Sequence, residues 1–397
     1  MPHAATPEPR KPVTLLTGAS GFLGRYLLRD LSAKNVPLAV LVRPSRRADA
    51  QTRVDAMVRF WKRHAGVDVR PPKVLSGDIL SDSLGLGADD RDWVAENVGT
   101  MLHNAASLSF VSTGRHAEPW RSNIDGTQNV LDACEDAGIR HFHHVSTAYI
   151  AGTRTGRVYE NETDVGQGFG NCYEESKLEA ERLVRGLHAE GRLDQLTVFR
   201  PGIILGDSRD GFVSTFHHVY SALQMAYVLA KQMGRWDHTG RMNASHVRMP
   251  MTGEECKHLV PVDWVSEAMA RIVADPALHG QTYHLTPRCP VKMRVLRDMI
   301  EESVGYYGVK LEIPEPGDPP QSEAEELFLE QQEVYSSYWN DDPRFDTTNV
   351  RTALPDLPCP HVDRAMMLKL ADAAIEMDFR FSDPKPAKTP AREAAAV

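Results

Sequence analysis

A tyrosine and a lysine stand four residues apart in the run Tyr173-Glu174-Glu175-Ser176-Lys177. On a helix that spacing puts both side chains on one face. An ammonium beside a phenol favours the phenolate and draws its pKa from about 10 toward neutrality, which makes a proton donor usable at physiological pH. Upstream, Ser146-Thr147-Ala148-Tyr149 follows the apolar-flanked run His141-Phe142-His143-His144-Val145 and brings hydroxyls to the end of a strand. Alone, a Tyr-x-x-x-Lys spacing equally describes two exposed residues on a helix, so the elements that would position the pair carry the argument.

The first of these is Val13-Thr14-Leu15-Leu16-Thr17-Gly18-Ala19-Ser20-Gly21-Phe22-Leu23-Gly24. It reads as a buried strand, a glycine turn and the start of a helix over residues 25–31. Gly18 permits a tight turn, Gly21 lets backbone N–H groups approach a phosphate, and Gly24 lets helix and strand pack closely. A helix N-terminus there favours a pyrophosphate. Gly18, Ser20, Gly21, Phe22, Leu23 and Gly24 are therefore candidate dinucleotide-binding residues.

A second strand, residues 37–43, ends in Arg43, with Arg46 and Arg47 just beyond. An acidic residue at this point would grip a ribose 2′-hydroxyl. A guanidinium suits a 2′-phosphate instead, so the expected cofactor is NADP(H); the alternative is a solvated basic turn. Residues 48–65 read as a helix that ends near Gly66. Residues 73–79 read as a third strand whose Gly77-Asp78-Ile79 exit lies where an adenine would sit, with Asp78 either accepting from its amine or serving as a plain turn residue. A fourth strand, residues 100–106, leaves through His103-Asn104-Ala105-Ala106, where small residues leave room for a ligand and Asn104 holds backbone near a nicotinamide ribose.

Asn123 opens a helix and is either its N-cap or a polar group turned toward the site. His141, His143 and His144 lie on a fifth strand with no carboxylate motif beside them, and read as structural rather than metal-binding. A loop over residues 152–171 precedes the Tyr173 helix, and residues 196–206 form a sixth strand and its exit. Past Asp207 the alternation breaks down. Residues 216–236, 258–274, 295–305, 322–338 and 362–379 read as helical, residues 281–285 as a strand, and residues 341–360 as irregular.

The chain has 397 residues, 42% of them hydrophobic and 25% charged, with a net charge of −9. That charge argues against nucleic acid as a partner. No apolar stretch is long enough for an integral membrane segment. The five cysteines are odd in number and lack a C-x-x-C pair, which suits a reducing cytoplasm.

Together these stretches resemble the extended short-chain dehydrogenase/reductase superfamily over residues 13–285. The resemblance rests on Thr17-Gly18-x-x-Gly21-x-x-Gly24, His103-Asn104-Ala105-Ala106, Ser146-Thr147, Tyr173-x-x-x-Lys177 and Arg200-Pro201-Gly202. It implies a catalytic triad of Thr147, Tyr173 and Lys177. Thr147 is taken over Ser146 because it lies five residues before Gly152, the family's spacing. It also implies that Lys177 binds the nicotinamide ribose and that Arg43, Asp78, Ile79, Asn104 and Pro201 contact cofactor. Leu16 to Gly24, His103 to Phe110, Val145 to Tyr149 and the late Phe345-Asp346-Thr347-Thr348-Asn349-Val350-Arg351 are similar to the thioester reductase and fatty acyl-CoA reductase branch.

The expected fold is a Rossmann-type α/β doubly wound parallel sheet with a smaller, mostly helical C-terminal substrate-binding region. The expected divisions are a disordered N-terminus (1–12), an NADP(H)-binding domain (13–206, with 258–285 returning to it), a substrate region (207–257 and 286–382) and a disordered tail (383–397). The expected function is NADPH-dependent reduction of the carbonyl or thioester of a hydrophobic small-molecule or carrier-bound acyl substrate, by a cytoplasmic protein compatible with a homodimer. The same scaffold serves ketone reductases or alcohol dehydrogenases on polycyclic substrates, nucleotide-sugar epimerases or dehydratases, and non-catalytic NADP-sensing regulators. The basic end of the second strand disfavours the NAD-retaining epimerases.

Overall fold

A computed structural model describes residues 11–233, 242–315, 317–332 and 339–381. The segments expected to be disordered lie outside these, apart from residues 11 and 12. The strands β1 (Val13–Thr17), β2 (Leu38–Val42), β3 (Lys73–Ser76), β4 (Val98–His103), β5 (His141–Val145), β6 (Gln195–Pro201) and β7 (Thr282–Leu285) make one sheet, ordered β7-β6-β5-β4-β1-β2-β3. Every pairing in it is parallel. The order reverses between β1 and β4, and such a switch point opens a crevice at the carboxyl ends of the strands.

The continuous apolar run of β1 follows from having both faces covered. Leu16 packs with α1 (Phe22–Ala33), α2 (Ala50–Ala65) and α7 (Val262–Ala274), through Leu27, Trp61 and Val265. Leu15 packs on the opposite face with α3 (Ala88–Asn97), α4 (Gly126–Asp136) and α5 (Cys172–Ala189), through Val94, Val130 and Val184. Local signals fix the helix ends. The Asp49 carboxylate accepts from Thr52 N at 2.7 Å to start α2, and Gly66, at φ 66°, ends it. Asn171 Oδ1 accepts from Glu174 N at 3.0 Å, while Glu174 Oε2 accepts from Gly170 N at 3.0 Å. This reciprocal cap fixes the first turn of α5, where Tyr173 sits.

A second core joins α6 (Val219–Met233), α8 (Met293–Val304) and the C-terminal helix Arg364–Glu376 through Leu223, Met299 and Leu370. Three expectations are corrected in this part of the chain. Residues Met242–Met249 form a strand paired in parallel with Tyr306–Leu311, where the sequence reading has no strand between residues 207 and 257. The stretch 341–360 is not wholly irregular: it holds the strand Arg344–Phe345, paired with Arg157–Val158, and the helix Thr348–Ala353. Helix α6 starts at Val219, not Phe216. These elements are short or pair across long sequence separations, so local periodicity does not reveal them.

Gly24 marks the tightest helix–strand contact. A Cβ there would lie 2.0 Å from the Gly18 carbonyl oxygen and 2.8 Å from Ala19 Cα. Gly186, inside α5, has nothing within 4 Å of its added Cβ. Gly24→Ala is expected to lower unfolding stability by about 2 kcal/mol or more, and Gly186→Ala to raise it by up to about 1 kcal/mol. Thermal or urea unfolding of the two variants checks this; similar stabilities would contradict it.

Candidate active site

The turn after β1 is shaped by close approach. Gly18 has φ 69°, and a Cβ on it would sit 2.7 Å from Ala105 N. Helix α1 begins without a side-chain cap, so its first-turn N–H groups remain available to an anion. A cavity of about 470 Å³ opens over this turn at the carboxyl ends of the strands. The cavity, the uncapped helix end and a turn too tight for any side chain fit the pyrophosphate of a dinucleotide.

The candidate residues converge on this cavity. Arg43, Asp78 and Ile79 line one end, and Gly18, Ser20, Gly21, Phe22, Leu23 and Asn104 line its middle. Thr147, Tyr173, Lys177 and Pro201 line the part beyond. Gly24 is set apart, packed beneath the turn. The Arg43 guanidinium is two-thirds exposed and lies 3.5 Å from the Asp78 carboxylate, an ion pair at the rim. Asp78 Oδ1 also accepts from Leu80 N at 3.1 Å, shaping its own loop. Arg53, which the sequence reading missed, reaches from α2 to donate to the Arg43 carbonyl and joins the wall there.

Thr147 follows β5 and caps a short 3₁₀ turn, its Oγ1 accepting from Tyr149 N at 3.2 Å. Its hydroxyl hydrogen-bonds the Tyr173 phenol. Lys177, one turn along α5 from Tyr173, is buried and donates from Nζ to the Val145 carbonyl at 2.8 Å. Burial lowers the Lys177 ammonium to about 8, with Glu181 acting in the opposite direction. Burial raises the Tyr173 phenol to about 12, with the Thr147 hydrogen bond pulling down. This corrects the expectation that Lys177 draws the Tyr173 pKa toward neutrality. The ammonium is held under the end of β5, and desolvation dominates the phenol. Tyr173 is thus a neutral O–H donor at pH 7.

Ser146 also reaches the cavity, with its hydroxyl oxygen buried and outside hydrogen-bond geometry. Burial alone would push Glu181 up; the Arg200 guanidinium, 2.6 Å away and equally buried, outweighs that and holds the carboxyl well below its usual range.

Behind the cavity runs a hydrogen-bond chain from the glycine turn to α5. Thr17 Oγ1 accepts from Asn104 N and Ala105 N, each at 3.1 Å. With both lone pairs used, its hydrogen goes to His103 Nδ1 at 2.9 Å. His103 therefore carries its proton on Nε2 and donates to Thr127 Oγ1 at 3.1 Å. Thr127 donates to the Asn123 carbonyl at 2.6 Å. Asn123 Nδ2 donates to Ser176 Oγ at 2.9 Å, and Ser176 donates to the Tyr173 carbonyl at 2.8 Å. Burial, aided by Lys177, lowers His103 to about 3 and keeps it neutral. Asn123 is neither an N-cap nor a cavity residue. It is buried and ties α4 to α5 and to the loop at Ser107, whose N–H it accepts at 2.8 Å.

His143 and His144 are buried in the sheet, with ring contacts to Phe199 and His103. Among the described residues no three His, Cys, Asp or Glu side chains are placed to hold a metal. Beyond Tyr173 the cavity is walled by residues the sequence reading did not single out for the site: Leu108, Ser122, Thr215, His217 and His218. The polar run Thr215-Phe216-His217-His218, just ahead of an apolar helix, is the signal that marks them.

Known proteins extend this geometry. The chain is 25% identical over 295 residues to the nonribosomal peptide synthetase asaC of Aspergillus flavus, covering 71% of the chain and 27% of that protein. It is 27% identical over 395 residues to the aldehyde reductase lnaA of the same fungus, covering 89% and 35%. The chain thus spans about a third or less of the length of these curated relatives. The terminal R domain of the myxalamid PKS-NRPS pathway shares its fold, with a TM-score of 0.72 and 24% identity over 95% of this chain and 94% of that one. A model of the NAD-binding family described as Male sterility protein matches residues 16–269, well over half of the sequence, and the chain belongs to that family.

Proposed function

We propose that this chain reduces a carrier-bound acyl thioester with NADPH, and that Thr147, Tyr173 and Lys177 are its catalytic residues. The observation that carries the reading is the meeting, in one cavity, of an anion-ready glycine turn with a neutral phenol hydrogen-bonded to a threonine hydroxyl. The relatives' printed names, a nonribosomal peptide synthetase and an aldehyde reductase, supply the substrate class. The substrate side of the cavity takes in Thr215, His217 and His218, just ahead of α6.

Gly18, Ser20, Gly21, Phe22 and Leu23 hold the pyrophosphate, and Arg43 the 2′-phosphate. Asp78, Ile79, Asn104 and Pro201 line the cofactor's adenine and ribose ends, and Lys177 holds the nicotinamide ribose. NADPH bound there would supply the hydride that reduces the thioester carbon. Tyr173 and Thr147 hold the carbonyl oxygen, and Tyr173 gives its proton to that oxygen as negative charge develops. Two preorganised donors of this kind contribute a few kcal/mol each, on the order of 10²–10³ in rate. The resulting thiohemiacetal loses the thiol: its C–S bond breaks, the hydroxyl proton leaves and an aldehyde remains.

Tyr173→Phe removes the proton donor while leaving the cofactor's contacts intact. Turnover is expected to fall by about 10³ or more, with NADPH affinity changed less than about threefold; unchanged turnover would refute the assignment. Arg43→Ala removes the charge matched to the 2′-phosphate. It is expected to lower the kcat/KM preference for NADPH over NADH by about tenfold or more. An unaltered preference, read from parallel assays with the two cofactors, would return Arg43 to a solvated turn.

A further inference from the structure

One wall of the cavity is held from a part of the chain beyond residues 16–269, the span shared with the family. Tyr149 lines the cavity together with Thr147 and Tyr173, and its ring belongs to the packed cluster that holds Phe110 and Ile203. Its hydroxyl donates to Asp342 Oδ2 at 2.6 Å, across 193 residues of sequence. The same carboxylate accepts from His258 N at 3.2 Å and, on Oδ1, from Lys257 Nζ at 2.6 Å. Lys257 also donates to the Asn340 carbonyl at 2.5 Å. The Lys257 and Asp342 side chains are only 5% and 6% exposed, so this is a buried ion pair.

The segment that carries Asp342 is itself clamped. Asp342 N donates to the Cys256 carbonyl at 3.2 Å, Asp341 Oδ1 accepts from Cys256 N at 2.7 Å, and the Pro343 carbonyl accepts from His258 Nε2 at 2.9 Å. Phe345 meets the Tyr149 ring edge-on at 6.4 Å, on the short strand paired with Arg157–Val158. A buried carboxylate held by three donors is a fixed point, and hydrogen bonds to a charged acceptor are strong and directional. At its other end Tyr149 reaches the reacting groups. Its backbone N donates to Thr147 Oγ1 at 3.2 Å, as the cap of the turn Ala148–Ala151. That same Thr147 hydroxyl hydrogen-bonds the Tyr173 phenol. The hydroxyl is therefore aimed by a backbone N–H whose own residue is anchored, through its side chain, on Asp342.

We propose that Asp342 is a positioning residue of this site: by holding the Tyr149 phenol it fixes the turn that aims the Thr147 hydroxyl at the carbonyl oxygen. The inference rests on the thioester-reductase reading for the reaction it serves. Asp342 is not among the residues that line the cavity, so it acts through Tyr149. Displacing a catalytic group by about 1 Å lowers a rate by up to about 10². The cofactor's glycine turn lies at the other end of the sheet crevice, and its geometry does not depend on this anchor. Proton delivery stays with Tyr173.

The test uses the NADPH-loaded full chain with Tyr149→Phe, which keeps the ring and removes the hydroxyl, with Asp342→Asn, which keeps a carbonyl oxygen as acceptor, and with both together. Turnover of octanoyl-pantetheine is one readout. The other is calorimetric affinity for the analogue with nitrogen in place of the thioester sulfur, whose amide keeps the carbonyl oxygen and resists hydride. Tyr149→Phe is expected to lower kcat by about tenfold and amide affinity by about fivefold, with NADPH affinity changed less than about twofold. Asp342→Asn is expected to lose less, and the double variant to lose no more than Tyr149→Phe alone, because the two residues act as one unit. A lowered unfolding temperature with kcat within about twofold of wild type, or losses that multiply in the double variant, overturns the proposal. If amide binding weakens as expected but the wild type reduces no thioester, the role of Asp342 stands and the reductase reading fails. If the wild type reduces the thioester and Tyr149→Phe matches it in both readouts, the reverse holds.

Discussion

A buried neutral histidine holds the two halves of the site together. His103 accepts a hydrogen bond from Thr17 on one nitrogen and donates one to Thr127 from the other, and every group in the chain from the glycine turn to Tyr173 has one permitted hydrogen orientation. Leaving one such buried group without its partner costs about 1–3 kcal/mol. The glycine turn and the helix that carries Tyr173 are therefore set against each other by directional bonds and not by packing alone. Protonating His103 would break the pattern, and burial keeps it neutral.

The charged pair Glu181–Arg200 performs the matching task under β5 and β6. It is fully buried, and Arg200 also donates to the carbonyl of Glu160 in the loop that follows β5. Lys177 lies one turn before Glu181 on the same helix. Helix α5 thus carries the phenol, the ammonium and a buried carboxylate in successive turns. The phenol stays protonated because desolvation is the strongest influence on it, and the ammonium answers a backbone carbonyl at the end of β5. This arrangement yields a donor at neutral pH without requiring a phenolate in the resting protein.

Much of the sheet and of the cofactor half was legible in the residues. Strands buried on both faces read as apolar runs, and the Gly18-x-x-Gly21-x-x-Gly24 spacing names a turn whose sterics are local. The Tyr173 and Lys177 pair was legible as a pair, but its electrostatics were not, since burial is a property of the folded chain. The parallel partnership of Met242–Met249 with Tyr306–Leu311 was hidden by the distance between them in sequence. The Thr348–Ala353 helix is too short to show a period. His218 was hidden because nothing in a histidine announces a left-handed backbone; that conformation comes from the turn into α6.

The central claim concerns what the Tyr173 cavity does to a thioester, and one measurement addresses it most directly. Incubating the protein with NADPH and an acyl-pantetheine or acyl-carrier thioester, and following cofactor absorbance together with free thiol, gives the stoichiometry of the reaction. The account predicts that each thiol released is matched by at least one NADPH oxidised, with aldehyde as the first product. Thiol release without cofactor oxidation, or a cofactor that binds and is never consumed by any thioester offered, would contradict it.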